Sequence, residues 1–254
     1  MAAGIFAHGG GPITIRNSGH IVTSAGAYGD AIGIHASAGG DITIRNSADI
    51  TAGTTGIFAE ICNCYAADIV IENGGVIKAG YLGIAAENAY GNVSITNRGT
   101  VEAAFVGIGA MAGGNVTLIN EGTVDPFIGM AAISYGDGHT ARVVNKGSVE
   151  ADLLGIGAFT VGLGNSTIVA NSGTITTTGL GTIRMIAGVS RPTCLAARRF
   201  SPCPMVPPTA SPSSTPARRE GSAEASASMP VRSDRVVPLR SPTQARCSAT
   251  TPRF

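Results

Sequence analysis

Apolar and polar residues alternate in short runs along most of the first 189 residues. In "ITIRN" (residues 42–46), Ile42, Ile44 and Asn46 share one parity, and Thr43 and Arg45 share the other. Alternation at period two places successive side chains on opposite faces of an extended strand. The runs are short and glycine-rich segments separate them, so the pattern predicts many short β-strands joined by tight corners.

These runs recur at a nearly regular interval. An asparagine closes one run in each repeat, and successive asparagines are 29, 27, 24, 23, 25 and 26 residues apart. A second motif, Gly-Ile-x-Ala with one Gly-Met-x-Ala variant, appears once in each of the same seven repeats, from "GIFA" at residues 4–7 to "GIGA" at residues 155–158. A period in the twenties indicates a solenoid of stacked repeats.

Each repeat holds three short strands: the run before the asparagine, the apolar position four residues after it, and the Gly-Ile-x-Ala run. We therefore predict an all-β, parallel β-helix of about seven coils over residues 1–185. Neighbouring coils would lie about 4.8 Å apart, so that equivalent residues stack in ladders. Each buried Ile or Val in such a ladder contributes about 1.5–3 kcal/mol.

The repeated asparagines fall on the inward parity, at a corner of each coil. A lone buried amide is costly, but stacked amides satisfy one another by donating to the carbonyl oxygen of the next side chain. We predict a structural and non-catalytic ladder formed by Asn17, Asn46, Asn73, Asn97, Asn120, Asn145 and Asn171.

The repeat is predicted to break at "GTIRM" (residues 181–185), where the next Gly-Ile-x-Ala is due. From residue 190 onward the chain holds 11 of its 13 prolines and 1 of its 36 glycines. We predict that residues 186–254 form a disordered tail rich in Pro, Arg, Ser and Ala. A second hypothesis is that this tail is frameshifted sequence, because GC-rich DNA read in a wrong frame yields such residues.

Charge divides the chain at the same place. Residues 1–189 carry 7 Lys and Arg against 13 Asp and Glu, so 7 − 13 = −6, whereas residues 190–254 carry 10 − 3 = +7. The solenoid is acidic and offers no basic stripe with aromatic residues, so we predict no nucleic-acid partner. We also predict no cofactor and no insertion of this chain into a membrane.

Tandem coils such as "GIGAMAGGNVTLINEGTV" (residues 107–124) resemble the passenger domains of type V secretion autotransporters. The resemblance covers about residues 1–189. It implies a right-handed β-helical passenger at the cell surface or secreted, preceded by a signal peptide and followed by an outer-membrane barrel; we expect neither of these two in this chain. It further implies an adhesive or stalk role, with a host-surface glycan or protein, or another copy meeting the open coil ends, as partner.

Two other functions stay open at this point. The chain could be a β-helical polysaccharide lyase or hydrolase, or a truncated gene product without a function of its own. The carboxylates for an enzyme would come from one outward column, in which Lys78 is followed by Glu102, Asp125 and Glu150 on consecutive coils. Stacked carboxylates can bind calcium or act as acid and base, but a solvated stripe is the favoured interpretation. We expect no His, aromatic or basic side chain to accompany these three.

Three further features deserve a structural test. The outward residues Phe6, His35 and Phe58 form a stripe that is either a docking patch or covered by the Ala27–Ile32 segment, the cover being favoured. A salt-bridge ladder is expected along Arg98, Glu121 and Lys146. Cys62 and Cys64 are interpreted as two free thiols in a loop, with a strained disulfide or a soft-metal pair as the alternatives.

Overall fold

The computed structural model describes residues 1–24, 29–61, 66–178 and 181–186, the last segment for its backbone only. Residues 187–254 lie outside the described residues, and with them lies nearly all of the predicted tail and its frameshift hypothesis. Cys62 and Cys64 also lie outside the described residues, as do two residues of the Ala27–Ile32 segment.

The described residues form 22 strands and no helix, and the strands make three parallel sheets. Sheet A contains β1 (Ala2–Gly9), β4 (Ala31–Ala38), β7 (Thr55–Ile61), β10 (Leu82–Asn88), β13 (Val106–Ala112), β16 (Ile128–Tyr135), β19 (Leu154–Val161) and β22 (Gly181–Ile186). Sheet B contains β2 (Ile13–Asn17), β5 (Ile42–Asn46), β8 (Ile69–Asn73), β11 (Val93–Asn97), β14 (Val116–Asn120), β17 (Thr140–Asn145) and β20 (Ser166–Asn171). Sheet C contains β3 (Ile21–Thr23), β6 (Ile50–Ala52), β9 (Val76–Ala79), β12 (Thr100–Ala103), β15 (Thr123–Asp125), β18 (Ser148–Ala151) and β21 (Thr174–Thr177).

Each coil contributes one strand to sheet A, then one to sheet B and one to sheet C, and every strand pairs with the equivalent strand of the next coil. Equivalent residues stack in register, as in Ile84 against Ile108 and Asn97 against Asn120. The predicted all-β parallel β-solenoid is confirmed. Its right-handed sense stays a prediction.

The core is the interior of the coils, and isoleucine and alanine fill it. Ile34, Ile57, Ile84 and Ile108 of sheet A are all 0% exposed. The alanine two residues after each of these is also buried and leaves room for the larger side chains of sheets B and C. The inner coils bury the same set and stabilise one another in the same way, whereas Ile5, Ala7, Val169 and Ile175 of the end coils are only partly buried.

The glycine of Gly-Ile-x-Ala is required because the chain passes close to two neighbours there. A Cβ atom on Gly83 would collide with the Val101 side chain of sheet C, and it would approach the carbonyl oxygen of Gly107 to 2.5 Å. Gly56 meets the equivalent neighbours, Ile77 and Gly83. The conserved spacing of this motif within the chain thus reflects a close approach between coils.

The expected break at residues 181–185 is wrong for the backbone. Gly181–Ile186 forms β22 and pairs in parallel with β19, with Ile183 opposite Ile156 and Met185 opposite Ala158. The glycine and alanine of the motif are missing, but ladder pairing uses main-chain groups and therefore tolerates their loss.

Candidate functional site

The repeated asparagines form one continuous hydrogen-bonded ladder inside the solenoid. Each side-chain Nδ2 donates to Oδ1 of the asparagine one coil further on, at 2.7–2.9 Å, through six successive bonds from Asn17 to Asn171. Asn97, Asn120 and Asn145 are 0% exposed. The hydrogen-bonding groups of these side chains are used within the ladder and its turns. The side chains therefore stabilise the fold and are not available to a ligand.

A second column of Asp and Asn side chains caps the coils from outside, and sequence reasoning missed it. Asp41 Oδ1 accepts from the backbone N–H of Asp68 at 2.9 Å, Asp68 Oδ1 from that of Asn92 at 2.8 Å, and Asn92 Oδ1 from that of Asn115 at 2.9 Å. The signal was an Asp or Asn directly before five of the seven strands of sheet B, namely Asp41, Asp68, Asn92, Asn115 and Asn165. These residues satisfy main-chain donors at a corner and are structural.

The candidate carboxylates lie on the outer face of sheet C. Lys78 Nζ lies 3.3 Å from the Glu102 carboxylate, so the expectation that no basic side chain accompanies the column is wrong. Glu102 and Asp125 are register partners on adjacent strands. Desolvation raises the pKa of Asp125, and the charges of Glu150, Glu102 and Asp152 raise it further.

A shallow depression of about 440 Å³ runs along this column. Lys78, Glu102 and Asp125 line it together with Thr51 and Gly80. Within the described residues, no three His, Cys, Asp or Glu side chains gather into a group that could hold a metal ion. Glu102, Asp125 and Glu150 therefore form a stripe of carboxylates and not a coordination cluster.

An aromatic column follows the acidic one at the corner between sheets C and A. The rings of Tyr81 and Phe105 stack with centroids 5.0 Å apart, and those of Phe105 and Phe127 with centroids 6.1 Å apart. Tyr81 is 51% exposed and Phe127 is 37% exposed. The expectation that no aromatic residue accompanies the carboxylates is thus wrong. The missed signal was one ring per repeat, just before Gly-Ile-x-Ala, in three consecutive coils.

Phe6, His35 and Phe58 form a contiguous column on the outer face of sheet A. The His35 ring lies 5.3 Å from each of the two Phe rings, centroid to centroid. His35 is 9% exposed, while Phe6 is 57% exposed. Because residues 25–28 lie outside the described residues, the choice between a docking patch and a covered stripe stays a prediction.

A column of carboxylates lies next to the Phe6–His35–Phe58 stripe on sheet A. His35 Nε2 lies 3.4 Å from Glu60 Oε1, and Glu60 is the register partner of Glu87. Although the Glu87 residue is exposed, its neighbours shield the carboxyl group, and this desolvation together with the charge of Glu60 raises its pKa. The sequence pattern did not single out Glu60 or Glu87, because they lie one residue past the Gly-Ile-x-Ala motif and outside its repeat.

The expected salt-bridge ladder is present at the corner after sheet B. Glu121 accepts from Lys146 Nζ at 3.0 Å and from Arg98 Nε at 3.2 Å. The hydrogen bond and charge of Lys146 lower the pKa of Glu121, with a smaller contribution from Arg98. All three side chains are exposed by a third or more, so each pair contributes about 0–1 kcal/mol.

Basic residues collect on sheet B, which sequence reasoning also missed. Arg16 and Arg45 are register partners on β2 and β5, with outward side chains. They line a groove of about 310 Å³ together with Ser18, Ser47 and Arg98. The domain as a whole is acidic, so the composition concealed a face of the opposite sign.

No family model, no curated protein and no solved structure matches this chain. In the described part of the chain, no helix is long and apolar enough to cross a membrane.

Proposed function

We propose that this chain is a non-enzymatic, surface-exposed or secreted segment of an autotransporter passenger, acting as a stalk and an adhesive surface. The observation that carries the proposal is the unbroken internal ladder from Asn17 to Asn171. The inward side chains of each coil contact the equivalent side chains of the next coil, in the same way along the ladder. A solenoid of this kind is long and rigid, and the residues on its outer faces can vary without changing the core.

The stalk role follows from the direction of the bonds. Main-chain pairing in three sheets and the asparagine ladder both run along the solenoid axis. Seven coils at strand spacing extend roughly 30 Å. Repeats of this kind contact only their neighbours, so the same design can be lengthened by adding coils.

The adhesive role is supported by the outer faces, which differ in chemistry. Sheet C carries the acidic column next to exposed aromatic rings, and sheet B carries arginines beside hydroxyl side chains. The two grooves are open and shallow, as expected for contact with a large partner. A host-surface glycan or protein fits such faces better than a small molecule, which needs an enclosed cavity.

The test uses the full chain, purified and immobilised on beads. We expect saturable binding to a glycan array or to intact host-type cells, with no change in the bound glycan after prolonged incubation. Antibody labelling and protease shaving of the producing cells should find the solenoid at the surface. Absence of binding to every glycan and cell type, or strictly intracellular protein, would contradict the proposal.

A second candidate is a β-helical polysaccharide lyase or hydrolase. It is favoured by one observation: the raised pKa of Asp125, beside Glu102 in the sheet C depression. A carboxyl group whose pKa is raised, beside a second carboxyl group, is an arrangement from which an acid and base pair can be built. Release of reducing or unsaturated ends from acidic polysaccharides, lost in Asp125→Asn, would replace the adhesive proposal.

Self-association through the coil ends is the other partner class. Strands β20 and β21 at one end of sheets B and C have partly exposed side chains throughout. Unpaired strand edges pair readily with another chain. Sedimentation velocity over a hundredfold range of concentration should then show growing species, whereas a constant monomer would contradict this partner.

A further inference from the structure

In the described solenoid, sheet B carries a net positive charge and sheet C carries a net negative charge. Six basic residues have described side chains, and five of them lie on sheet B or at the corner that follows it: Arg16, Arg45, Arg98, Arg142 and Lys146. The same region carries three acidic residues, Asp49, Glu72 and Glu121, so its net charge is 5 − 3 = +2. The strands of sheet C carry Lys78 against Glu102, Asp125 and Glu150, which gives 1 − 3 = −2.

Within the basic face, two like charges are placed directly over one another. Arg16 and Arg45 are register partners on adjacent strands. Like charges in this position destabilise a sheet. Arg45 Nε lies 3.4 Å from the Glu72 carboxylate, with both side chains substantially exposed. In the described residues no carboxylate forms an ion pair with Arg16. The pair thus carries an excess positive charge that an external anion would neutralise.

The two arginines stand in a groove of about 310 Å³ whose far side is formed by small residues. Ser18, Ser47 and Gly74 occupy the equivalent position on three consecutive coils, one past the ladder asparagine. Arg98 closes the groove on the next coil. A guanidinium group binds carboxylate or sulfate through two parallel hydrogen bonds, so two stacked guanidinium groups offer a fork on each side of one anion.

Hydroxyl side chains continue the surface next to the arginines. Thr14 and Thr43 are register partners on the same outer face as Arg16 and Arg45, and the column continues through Val70 to Ser94 and Thr117. No aromatic residue occupies an outward position on the described strands of sheet B. Bases of a nucleic acid would have no ring to stack on, whereas sugar hydroxyl groups would find donors and acceptors.

We propose that the Arg16–Arg45 groove of sheet B is a binding site for an acidic polysaccharide, with one sugar carboxylate or sulfate held between the two guanidinium groups. This inference rests on the proposed adhesive function and names its ligand class. Glu72 marks the end of the site on the third coil, because its charge repels a further anion. The adjacent threonine column guides the neutral part of the glycan along the face.

The experiment measures binding of the full chain to four probes by calorimetry or biolayer interferometry. Heparin is the sulfated probe, polygalacturonate the carboxylated probe, dextran the neutral control, and oligo(dT) the nucleic-acid control. We expect binding to the two acidic glycans, weakening with added salt, and little binding to dextran or oligo(dT).

Three variants locate the site. The double variant Arg16→Gln/Arg45→Gln should lose about tenfold or more of its affinity, and Arg16→Lys should lose part of it because an ammonium group lacks the fork geometry. Lys78→Gln removes one positive charge from sheet C and should bind like the wild type. The double variant should unfold at about the same temperature as the wild type, because it relieves the like-charge contact between the two arginines and loses the exposed Arg45–Glu72 ion pair.

Three results would overturn the site: unchanged affinity in the double variant, an equal loss in Lys78→Gln, or tighter binding of oligo(dT) than of either acidic glycan. Absence of wild-type binding to both acidic glycans would also overturn it. If cells or other glycans are still bound in these cases, the adhesive function stands and only its ligand class is wrong. If nothing is bound at all, both proposals fail together.

Discussion

The side-chain nitrogen of Asn97 donates to Oδ1 of Asn120 at 2.9 Å and to the carbonyl oxygen of Gly99 at 3.0 Å. The second bond identifies which terminal atom of the amide is the nitrogen, because only a donor can face a carbonyl oxygen. The same pair of bonds recurs at Asn120, with Asn145 and Gly122. All rungs therefore point in one direction, and each joins one coil to the next while closing its own turn.

Replacing Asn97 by alanine should be strongly destabilising. The change removes the bonds to Asn120 and Gly99 and leaves Asn73 Nδ2 with one acceptor fewer, inside a core where water cannot replace it. We expect a loss of about 2–4 kcal/mol in the free energy of unfolding, measured by urea denaturation. Asn171→Ala at the exposed end of the ladder is the control and should cost about 1 kcal/mol or less. Equal losses would show that the ladder is not a buried network.

Gly83→Ala tests the close approach between coils. The new methyl group would overlap Val101 and the carbonyl oxygen of Gly107, and the backbone cannot retreat without disturbing the pairing of β10 with β13. Overpacking of this kind costs about 1–3 kcal/mol or more. Gly19→Ala, where no atom lies within 4 Å of the added carbon, should change stability by about 0.5 kcal/mol at most. Thermal melts of the two variants side by side would decide the matter.

Glu87→Gln should change how stability depends on pH. Because the folded-state pKa of Glu87 is raised, the folded chain takes up a proton at a higher pH than the unfolded chain, so this group makes the protein more stable as pH falls towards 4.5. The glutamine variant should be more stable than the wild type at pH 7 by a few tenths of a kcal/mol, given the exposure of the residue. It should also show a flatter pH profile above 4.5.

Glu121→Gln is the control with the opposite sign. Lys146 and Arg98 lower the pKa of Glu121, so its contribution to stability is present at neutral pH and is lost as pH falls below the ordinary pKa of a glutamate. This variant should be less stable than the wild type at pH 7 and should converge with it in acid. A shift of both variants in the same direction would contradict the assigned electrostatics.

Asp125→Asn should stabilise the solenoid slightly. The amide avoids the desolvation of a carboxylate, which is the main cause of the raised pKa of Asp125, and removes the repulsion from Glu150 and Glu102, so we expect a gain of about a few tenths of a kcal/mol at pH 7. Glu102→Gln is the matched control, since it loses the ion pair with Lys78 and should bring no gain. The same Asp125→Asn protein, shown to be folded, then makes any loss of polysaccharide cleavage interpretable as chemistry.

The inward-facing residues could be predicted because few residue types fit a buried column. Ile84 and Ile108 repeat at a fixed place in the sequence since both must fill the same space, and Asn97 and Asn120 repeat since a buried amide needs an identical neighbour. Outward columns obey no such rule. The stacked rings of Tyr81 and Phe105, and Glu60 beside Glu87, were therefore missed.

Two wrong expectations concern pairs of outward residues on neighbouring coils. Lys78 was placed in the same column as Glu102, yet their ion pair was not expected because only the three carboxylates of that column were considered together. The overall acidic composition of the solenoid concealed the arginines of sheet B, although Arg16 and Arg45 lie one above the other. Both relationships require the register between strands, which the variable length of the corners obscures.

The sequence by itself determined the fold class, the three strands of each coil and the identity of the internal ladders. Hydrophobic burial and amide satisfaction impose these on every repeat, so the repetition can be read directly from the chain. The tertiary structure decided which outward residues are neighbours, which carboxylates are paired or repelled, and which face is basic. Those relationships arise between residues about 25 positions apart, and only the stacking of the coils brings them within hydrogen-bonding distance.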